Sequence, residues 1–464
     1  MSEIKWPPGP RGLPVVGSLI SYLRDRTGFS LRMARRYGDA AHFTLGTQHV
    51  VQLNRPEFIH DVLVKQHDQF HKGPGLDSAE IIFGNGLVRN EGKSHRDQRK
   101  LLQPAFQQER LAQHCPFVVA AALAVSERWQ SGQTVDMFKE MLDVTVTVAA
   151  RMLFGDGVNA TFEQVAGDLT AVFEYLDVLV GPLARPMSKL PTRRRSRFLG
   201  ARQRLDDLIY SVLRARRDSG ENGTDLLGML LAARDLEGHA PGMSDRQLRD
   251  EAMTMFLAGH ETTATALAWT WYLLAQHPSV ESTLHAELDE VLDGRLPTFA
   301  DVARLNYTKM VIAESMRLYP PIWLISRRAL NDYAFGEWLV PAGTTIGMSQ
   351  YVMHRDPRFY PEPERFDPLR WTEEEAAKRP KYSYFPFGGG PRLCIGERLA
   401  WTEAMLIIAS LCQSWRGRLR PGVHARLQPF ISLRPRGGLS MQLNCRRAEL
   451  QRERATERRL AINA

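Results

Sequence analysis

The chain has 464 residues and little cysteine: four, at Cys115, Cys394, Cys412 and Cys445, with no paired spacing. That excludes a disulfide framework and fits a reducing, intracellular setting. Long apolar runs are also missing. The longest, about Phe117 to Val125, is far short of the roughly 20 residues of a membrane span. No apolar stretch of signal length follows Met1, so a cytoplasmic protein without a membrane span is expected. There is no Gly-x-Gly-x-x-Gly unit, no cysteine cluster of iron–sulfur spacing, no internal repeat and no Ser/Gly linker. Neither charge sign dominates: 60 Lys and Arg face 52 Asp and Glu, a net +8. The charges are interspersed, so no nucleic-acid partner is expected. Two basic clusters, Arg193 to Arg197 and the tail from Arg446 to Arg459, read as solvated faces, with an acidic protein partner as the alternative.

Hydrophobic residues make up 44% and charged residues 24% of the chain, ordinary globular values. A length prior of about 150 residues per domain suggests roughly three domains. The pattern along the chain does not divide that way. Residues 1–14 form a stiff Pro/Gly-rich opening segment. Ala41 to Leu53 alternates about Gly46-Thr47 and predicts a β-hairpin. Asn54-Arg55-Pro56-Glu57 is expected to open a helix, with Asn54 near the cap and Pro56 early. His71 to Asn90 reads as a long irregular loop, and Glu91 to Gln276 as almost wholly helical. Ser244-Asp245-Arg246-Gln247 is a capping box that opens the longest helix, stopped near Gln276 by His277-Pro278. Its stretch from Met253 to Ala268 is apolar around most of the circumference, so it should be buried. Strands are expected at Trp323 to Arg328, Thr344 to Ser349 and Leu439 to Leu443.

The strongest local signal is Phe387-Gly388-Gly389-Gly390-Pro391-Arg392-Leu393-Cys394-Ile395-Gly396. Its glycines allow a tight turn and close backbone approach to something flat. Cys394 then stands just before a helix from about Glu397 to Ser414. A helix N-terminus and backbone N–H groups stabilise a thiolate, and thiolate is a strong ligand for iron. Arg392 could pair with a carboxylate of the bound group.

This segment resembles the haem-binding loop of the cytochrome P450 family, Phe-x-x-Gly-x-Arg-x-Cys-x-Gly. The resemblance implies a mainly α protein with a minor β region, one triangular haem-binding domain over residues 1–464 with a long central helix. It makes Cys394 the thiolate ligand of haem b, with Phe387, Arg392 and Gly396 also at the cofactor. Further motifs of the family follow in order. Glu314-Ser315-Met316-Arg317, about 80 residues before Cys394, puts a Glu and an Arg on one helix face. The resemblance makes them a buried structural triad with Arg370, while Pro363-Glu364-Arg365-Phe366 is a decoy by its spacing from Trp371. Ala258-Gly259-His260-Glu261-Thr262-Thr263 lies in the middle of the long helix. A small residue there makes room for a ligand, and an acid followed by Thr can relay protons. The resemblance places Ala258 and Gly259 at the cofactor, Thr262 at dioxygen and Glu261 as the acid feeding it; His260 is expected to make packing contacts. His95 and Arg99 lie one turn apart. With Arg327 and Arg392, they are the cations expected for the two haem carboxylates. Arg328 is the less favoured alternative to Arg327.

The implied activity is monooxygenation of an apolar small molecule by a monomer. Electrons would come from a separate ferredoxin or flavodoxin with its NAD(P)H-dependent reductase. Ile81, Ile82, Phe83, Leu87, Met255, Phe256, Ile322, Trp323, Leu324, Phe430 and Ile431 are the expected substrate-pocket residues. The hairpin offers His42, Gln48, His49 and Gln52 but no Arg or Tyr to hold a carboxylate. A neutral terpenoid or polyketide is therefore favoured over a fatty acid. Alternatives are a non-oxidative isomerase or dehydratase, a peroxide-driven relative and a non-enzymatic haem sensor. The acid–Thr pair argues against each. A zinc protein would need a ligand cluster that the sequence does not offer.

Overall fold

The computed structural model describes residues 4–155, 162–181, 183, 187–220, 223, 225–232, 243–422 and 424–446. The predicted hairpin forms from β1 (Ala40–Leu45) and β2 (Gln48–Leu53), with Leu45 opposite Gln48 and Gly46 at φ +61°. With β3 (Phe70–Lys72), β4 (Ile325–Ala329) and β5 (Thr345–Met348) it makes a five-stranded sheet in the order β1-β2-β5-β4-β3. Strands β2 and β5 run parallel and the other pairs antiparallel. The predicted C-terminal strand, Ser440–Cys445, pairs elsewhere, between Trp415–Arg418 and Thr134–Asp136.

The bulk is helical: α1 (Gly92–Leu102), α2 (Gln108–Ser126), α3 (Met137–Phe154), α4 (Phe162–Val180), α5 (Arg193–Ser219), α6 (Asp245–Gln276), α7 (Asn306–Leu318) and α8 (Glu397–Cys412). Helix α6 is the predicted long helix, 32 residues, or roughly 48 Å at 1.5 Å per residue. Its start is fixed as expected, with Ser244 accepting from Gln247 N–H and the Gln247 side chain reaching back to Ser244. Such a cap is worth about 1 kcal/mol.

Helix α6 is buried because two apolar cores share it. Its first part, through Leu257, packs with α3, α4 and α5 around Phe154, Leu169 and Phe198. Its second part, from Ala264, packs with α2, α3, α7 and α8 around Trp269, Met405 and Leu406. The residues between, 258–263, belong to neither cluster. Ala258 is exposed and Gly259 and Thr262 are half-buried, although they lie mid-helix. The stretch is buried as expected except there, where one side of the helix faces a hollow.

The short helix Pro56–His60 opens as expected, with Pro56 at its start and Asn54 next to the cap Arg55; the Asn54 amide donates to Gly38 O (2.7 Å). Two local readings need correction. The stretch read as a loop, His71 to Asn90, carries the end of β3, a 3₁₀ turn at Pro74–Leu76 and a helical turn at Glu80–Phe83. Its glycines break it into pieces too short for periodicity to register. The basic tail was read as solvated, yet Arg446 is buried and pairs with Asp289; the remainder of the tail, 447–464, lies outside the described residues. The other basic cluster opens α5, where Arg193, Arg194 and Arg197 are exposed.

Candidate active site

Ala258, Gly259, Thr262 and Thr263 face a cavity of about 1120 Å³. Cys394, Phe387, Gly388, Arg392 and Gly396 of the glycine loop line it, as do Ala258, Gly259, Thr262 and Thr263 of α6. The loop is closed by Cys394 N–H donating to Phe387 O (3.0 Å). Gly388 and Gly390 take φ +77° and +66°, a region where a side chain is strained. At Gly390 a Cβ would also lie 1.9 Å from Leu63 O, so the loop could not sit against that turn. Cys394 keeps free surface although protein surrounds it on nearly all sides, so that surface is cavity wall. Burial raises its thiol pKa, joined by the repulsion of Glu397 and opposed by Gly396 N–H and the positive charge of Arg99. The expected thiolate preference at the helix start therefore needs a bound cation to be realised.

On α6, Thr262 Oγ1 donates to Ala258 O (2.8 Å) and Thr263 Oγ1 to Gly259 O (3.2 Å). A Cβ at Gly259 would meet nothing within 4 Å. The glycine, which costs about 1 kcal/mol in a helix interior, borders open space. Glu261 points elsewhere. It does not line the cavity; Ser432 Oγ (2.5 Å) and Arg434 Nε (2.5 Å) and Nη2 (2.6 Å) hold its carboxylate. A buried carboxylate requires a cation, and this one comes from 173 residues away. Burial pushes the Glu261 carboxyl up to about 7, against the pull of Arg434 and Ser432. Glu261 and Thr262, adjacent in sequence, thus have side chains in different surroundings, Thr262 at the cavity wall and Glu261 on Arg434 and Ser432 behind the helix. His260 is buried and bonds Phe256 O through Nδ1 (2.9 Å), a packing role.

The expected carboxylate partners divide. Arg327 is 8% exposed and lines the cavity, and its Nε has no hydrogen-bond partner. Arg328 pairs with Asp77. Arg392 lines the cavity but is committed to Glu91 (2.6 Å) and to the carbonyls of His67 and Phe70 (2.8 Å each). Arg99 donates to Leu393 O (2.7 Å), and neither it nor His95 is among the lining residues. Burial pushes the His95 imidazole down to about 4, leaving it neutral beside Lys72, Arg392, Glu91 and Arg99. Arg99 thus bonds the loop itself at Leu393 O, and Arg392 ties it to Glu91 and to the carbonyls of His67 and Phe70. Sequence reasoning missed Lys72, which lines the cavity and donates to Leu87 O (2.8 Å) and Asn90 O (2.6 Å). It falls in the stretch read as irregular loop.

The structural triad is assembled away from the cavity. Arg317 Nε and Nη2 each reach Glu314 at 2.8 Å, and Arg370 Nε lies 3.4 Å from it. Trp371 Nε1 (2.9 Å) and Asp367 N–H (3.0 Å) also donate to Glu314.

Among the expected pocket residues, Phe83, Met255, Ile322, Trp323, Leu324, Phe430 and Ile431 line the cavity. Ile82, Leu87 and Phe256 do not; they are buried in the core around α3 to α5, and Ile81 is exposed on the surface. Tyr22 and Arg26 do line it, which corrects the search for an Arg or Tyr only in the hairpin. Both precede β1, and Arg26 joins Tyr22 to a turn: it stands 5.9 Å over the Tyr22 ring and 5.8 Å over Phe430, and its Nη1 donates to Pro429 O (3.0 Å). The same turn accepts Trp323 Nε1 at Phe430 O (2.6 Å) and Trp269 Nε1 at Leu433 O (2.6 Å).

A flat dianion with a metal at its centre fits this donor set: a sulfur on one wall, a bare helix backbone on another, and the Arg327 guanidinium, whose Nη1 bonds Ser326 O and which has no carboxylate partner among the described residues. The chain matches the family model for cytochrome P450 over residues 7–438. It is 39% identical over 427 residues to cyclooctatin synthase of Streptomyces melanosporofaciens, covering 91% of this chain and 92% of the relative. It is 32% identical over 420 residues to pentalenene oxygenase of Streptomyces avermitilis, covering 90% and 92%. The solved haem domain of cytochrome P450DA matches with a TM-score of 0.86 at 25% identity, covering 96% of this chain and 99% of that one. No helix among the described residues is long and apolar enough to cross a membrane. A match along nearly the whole chain, with the cysteine loop and the long helix facing one cavity, shows that this protein belongs to the cytochrome P450 family, the haem- and O2-using monooxygenases.

Proposed function

We propose that the protein inserts one oxygen atom of O2 into an apolar, polycyclic terpenoid, with Cys394 as the thiolate ligand of haem b. The observation that carries this reading is one cavity walled by Cys394, Thr262 and the apolar side chains of Phe83, Met255, Phe173, Leu176 and Ile322. Thiolate-bound haem supplies the reductive activation of O2 that attack on an unactivated C–H bond requires. The chain's own residues do the rest. Arg327 would hold a haem carboxylate, with Arg392, Arg99 and His95 as the further donors expected there, and Arg99 and Arg392 also fix the loop that presents Cys394. The apolar walls orient the substrate and exclude water. Thr262 Oγ1 holds a proton at the cavity wall. Glu261, its carboxyl pushed up toward neutrality, holds or releases a proton behind the helix, where Ser432 and Arg434 donate hydrogen bonds to it. Electrons come from an acidic ferredoxin or flavodoxin and its NAD(P)H-dependent reductase, consistent with the net charge of +8. The enzyme works as a cytoplasmic monomer, residues 1–464 forming one unit.

The size and apolar lining of the cavity support a terpenoid, as do relatives named cyclooctatin synthase and pentalenene oxygenase. A fatty acid is the second reading, because Arg26 and Tyr22 at the wall could hold a carboxylate. Titration of the ferric holoenzyme with cedrene, cedrol and palmitic acid separates them. A saturable change in the haem spectrum is expected with a terpenoid. A change with palmitic acid alone would overturn the terpenoid reading.

Replacing Thr262 with alanine removes the hydroxyl and leaves the helix intact. Product formed per NAD(P)H consumed is expected to fall by about tenfold or more, within the range of positioned proton donors, with hydrogen peroxide taking up the difference. Unchanged coupling would remove Thr262 from the proposed role.

A further inference from the structure

Exposed apolar side chains cluster near the start of the chain: Leu13, Val15, Ile20 and Leu23. A tight turn projects the first two. Leu13 N–H donates to Gly17 O (3.0 Å) and Gly17 N–H to Leu13 O (2.8 Å). The turn is pinned to the hairpin, with Ser18 N–H on Thr44 O (2.7 Å) and Gly46 N–H on Val16 O (3.1 Å). Val15 stands at the tip, 88% exposed and at φ +67°. A β-branched residue is strained in that region, and packing gives no return for an apolar side chain held out there. Ile20 and Leu23, three residues apart, share one face of the helix Leu19–Arg24. Tyr22, on its other side, lines the substrate cavity. Beside the turn lies a groove of about 550 Å³ lined by Leu13 and by Arg11, Arg32, Arg35 and Arg36, with no acid among its lining residues. Arg32 pairs with Asp25 (2.9 Å). Arg11, Arg35 and Arg36 have no carboxylate partner among the described residues. Arg35 and Arg36 follow Arg32 by one helical turn, where like charges repel. Residues 4–39 hold seven basic residues against two acids.

We propose that this corner docks on the surface of an anionic phospholipid bilayer, with Leu13, Val15, Ile20 and Leu23 entering the acyl boundary and Arg11, Arg35 and Arg36 meeting lipid phosphates. An interfacial contact is built from apolar side chains on one face and cations beside them, and each cation adds attraction to an anionic leaflet. The same residues disfavour a protein partner. Protein interfaces centre on aromatic side chains in a packed patch; here the projecting side chains are all aliphatic. Docking of this kind needs no spanning helix, and none is found among the described residues. It also serves the substrate. An apolar molecule leaves water for the same bilayer, and the helix Leu19–Arg24 meets lipid on one face and the cavity, through Tyr22, on the other. The inference stands on surface residues and does not depend on the terpenoid reading.

The holoenzyme is sedimented with vesicles of phosphatidylcholine alone and of equal parts phosphatidylcholine and phosphatidylglycerol. Binding to the anionic vesicles is expected to be at least about tenfold tighter, the combined effect of several basic residues at a charged surface, and to weaken as salt is raised. Arg35→Glu together with Arg36→Glu should remove the preference. Val15→Gly suits the left-handed backbone, so it should hold or raise the urea midpoint while weakening vesicle binding severalfold. A merely structural role for Val15 would not move the two readouts in opposite directions. No sedimentation with either vesicle, equal binding to both, or binding unchanged by either the arginine pair or Val15→Gly would overturn the proposal. So would an acidic ferredoxin that loses affinity with the arginine pair while vesicle binding stays the same. Titration of the haem spectrum with cedrene tests the cavity separately, so either reading can fail alone.

Discussion

Replacing Cys394 with alanine is expected to abolish product formation and the red-shifted absorption of the reduced carbon-monoxide complex that marks thiolate ligation. The other cysteines cannot substitute. Cys115 donates its thiol to Leu111 O inside α2, and burial pushes its pKa up to about 11. Cys412 is fully enclosed at the end of α8, where burial raises its thiol still further. Cys445 ends a strand of the small sheet. None of the three lines the cavity. Cys394 makes no packing contribution comparable to a core residue, since its side chain borders the hollow. The variant should therefore fold, and far-ultraviolet circular dichroism should match the wild type. Retention of the red-shifted band in a folded Cys394→Ala protein would exclude this residue as the ligand.

The second large effect is on stability. Arg317 has no exposed side-chain surface, and it spends its guanidinium on two bonds to Glu314 and three to carbonyls: His354 (2.9 Å), Pro363 (2.7 Å) and Arg365 (3.0 Å). Removing one partner of such a pair leaves a buried charge uncompensated and costs about 3–5 kcal/mol. The total stability of a domain is only about 5–15 kcal/mol. Arg317→Leu should therefore reach the soluble fraction poorly and release haem at lower urea than the wild type. Arg317→Lys should not rescue it, because one ammonium cannot reproduce a five-bond fork. A leucine variant with a wild-type urea midpoint would show that the triad is dispensable.

Chemistry encoded in short segments was legible from the sequence. The glycine–cysteine loop, the Ser244 capping box and the Glu314/Arg317 spacing each depend on residues within ten positions, and each forms as expected. Partners brought from afar were not legible. Nothing near Glu261 announces Arg434, and nothing near Arg392 announces Glu91, 301 residues earlier. The chain has 60 basic side chains, and spacing cannot select among them. The pocket failed for another reason. Met255 lines the cavity while Phe256 is core, although helix neighbours differ only by roughly 100° around the axis. Periodicity identifies the apolar faces of a buried helix, but it does not say which of them meets a hollow. Arg26 went unnoticed because an isolated charge on an amphipathic helix looks like any solvated residue.

The turn from Pro429 to Arg434 ties together parts that are usually varied separately. It accepts Arg26 and Trp323, donates to Asp177, receives Trp269 and clamps Glu261. Within six residues it touches the substrate wall at one end and the buried acid at the other. Choice of substrate and efficient use of reducing power are therefore not independent traits here. A substitution in this turn that reshapes the wall also moves the carboxylate behind α6. Directed evolution toward a new substrate through these positions should show wasted electrons as its first side effect, and second mutations that restore economy should arise around Glu261 and Ser432, not in the cavity wall.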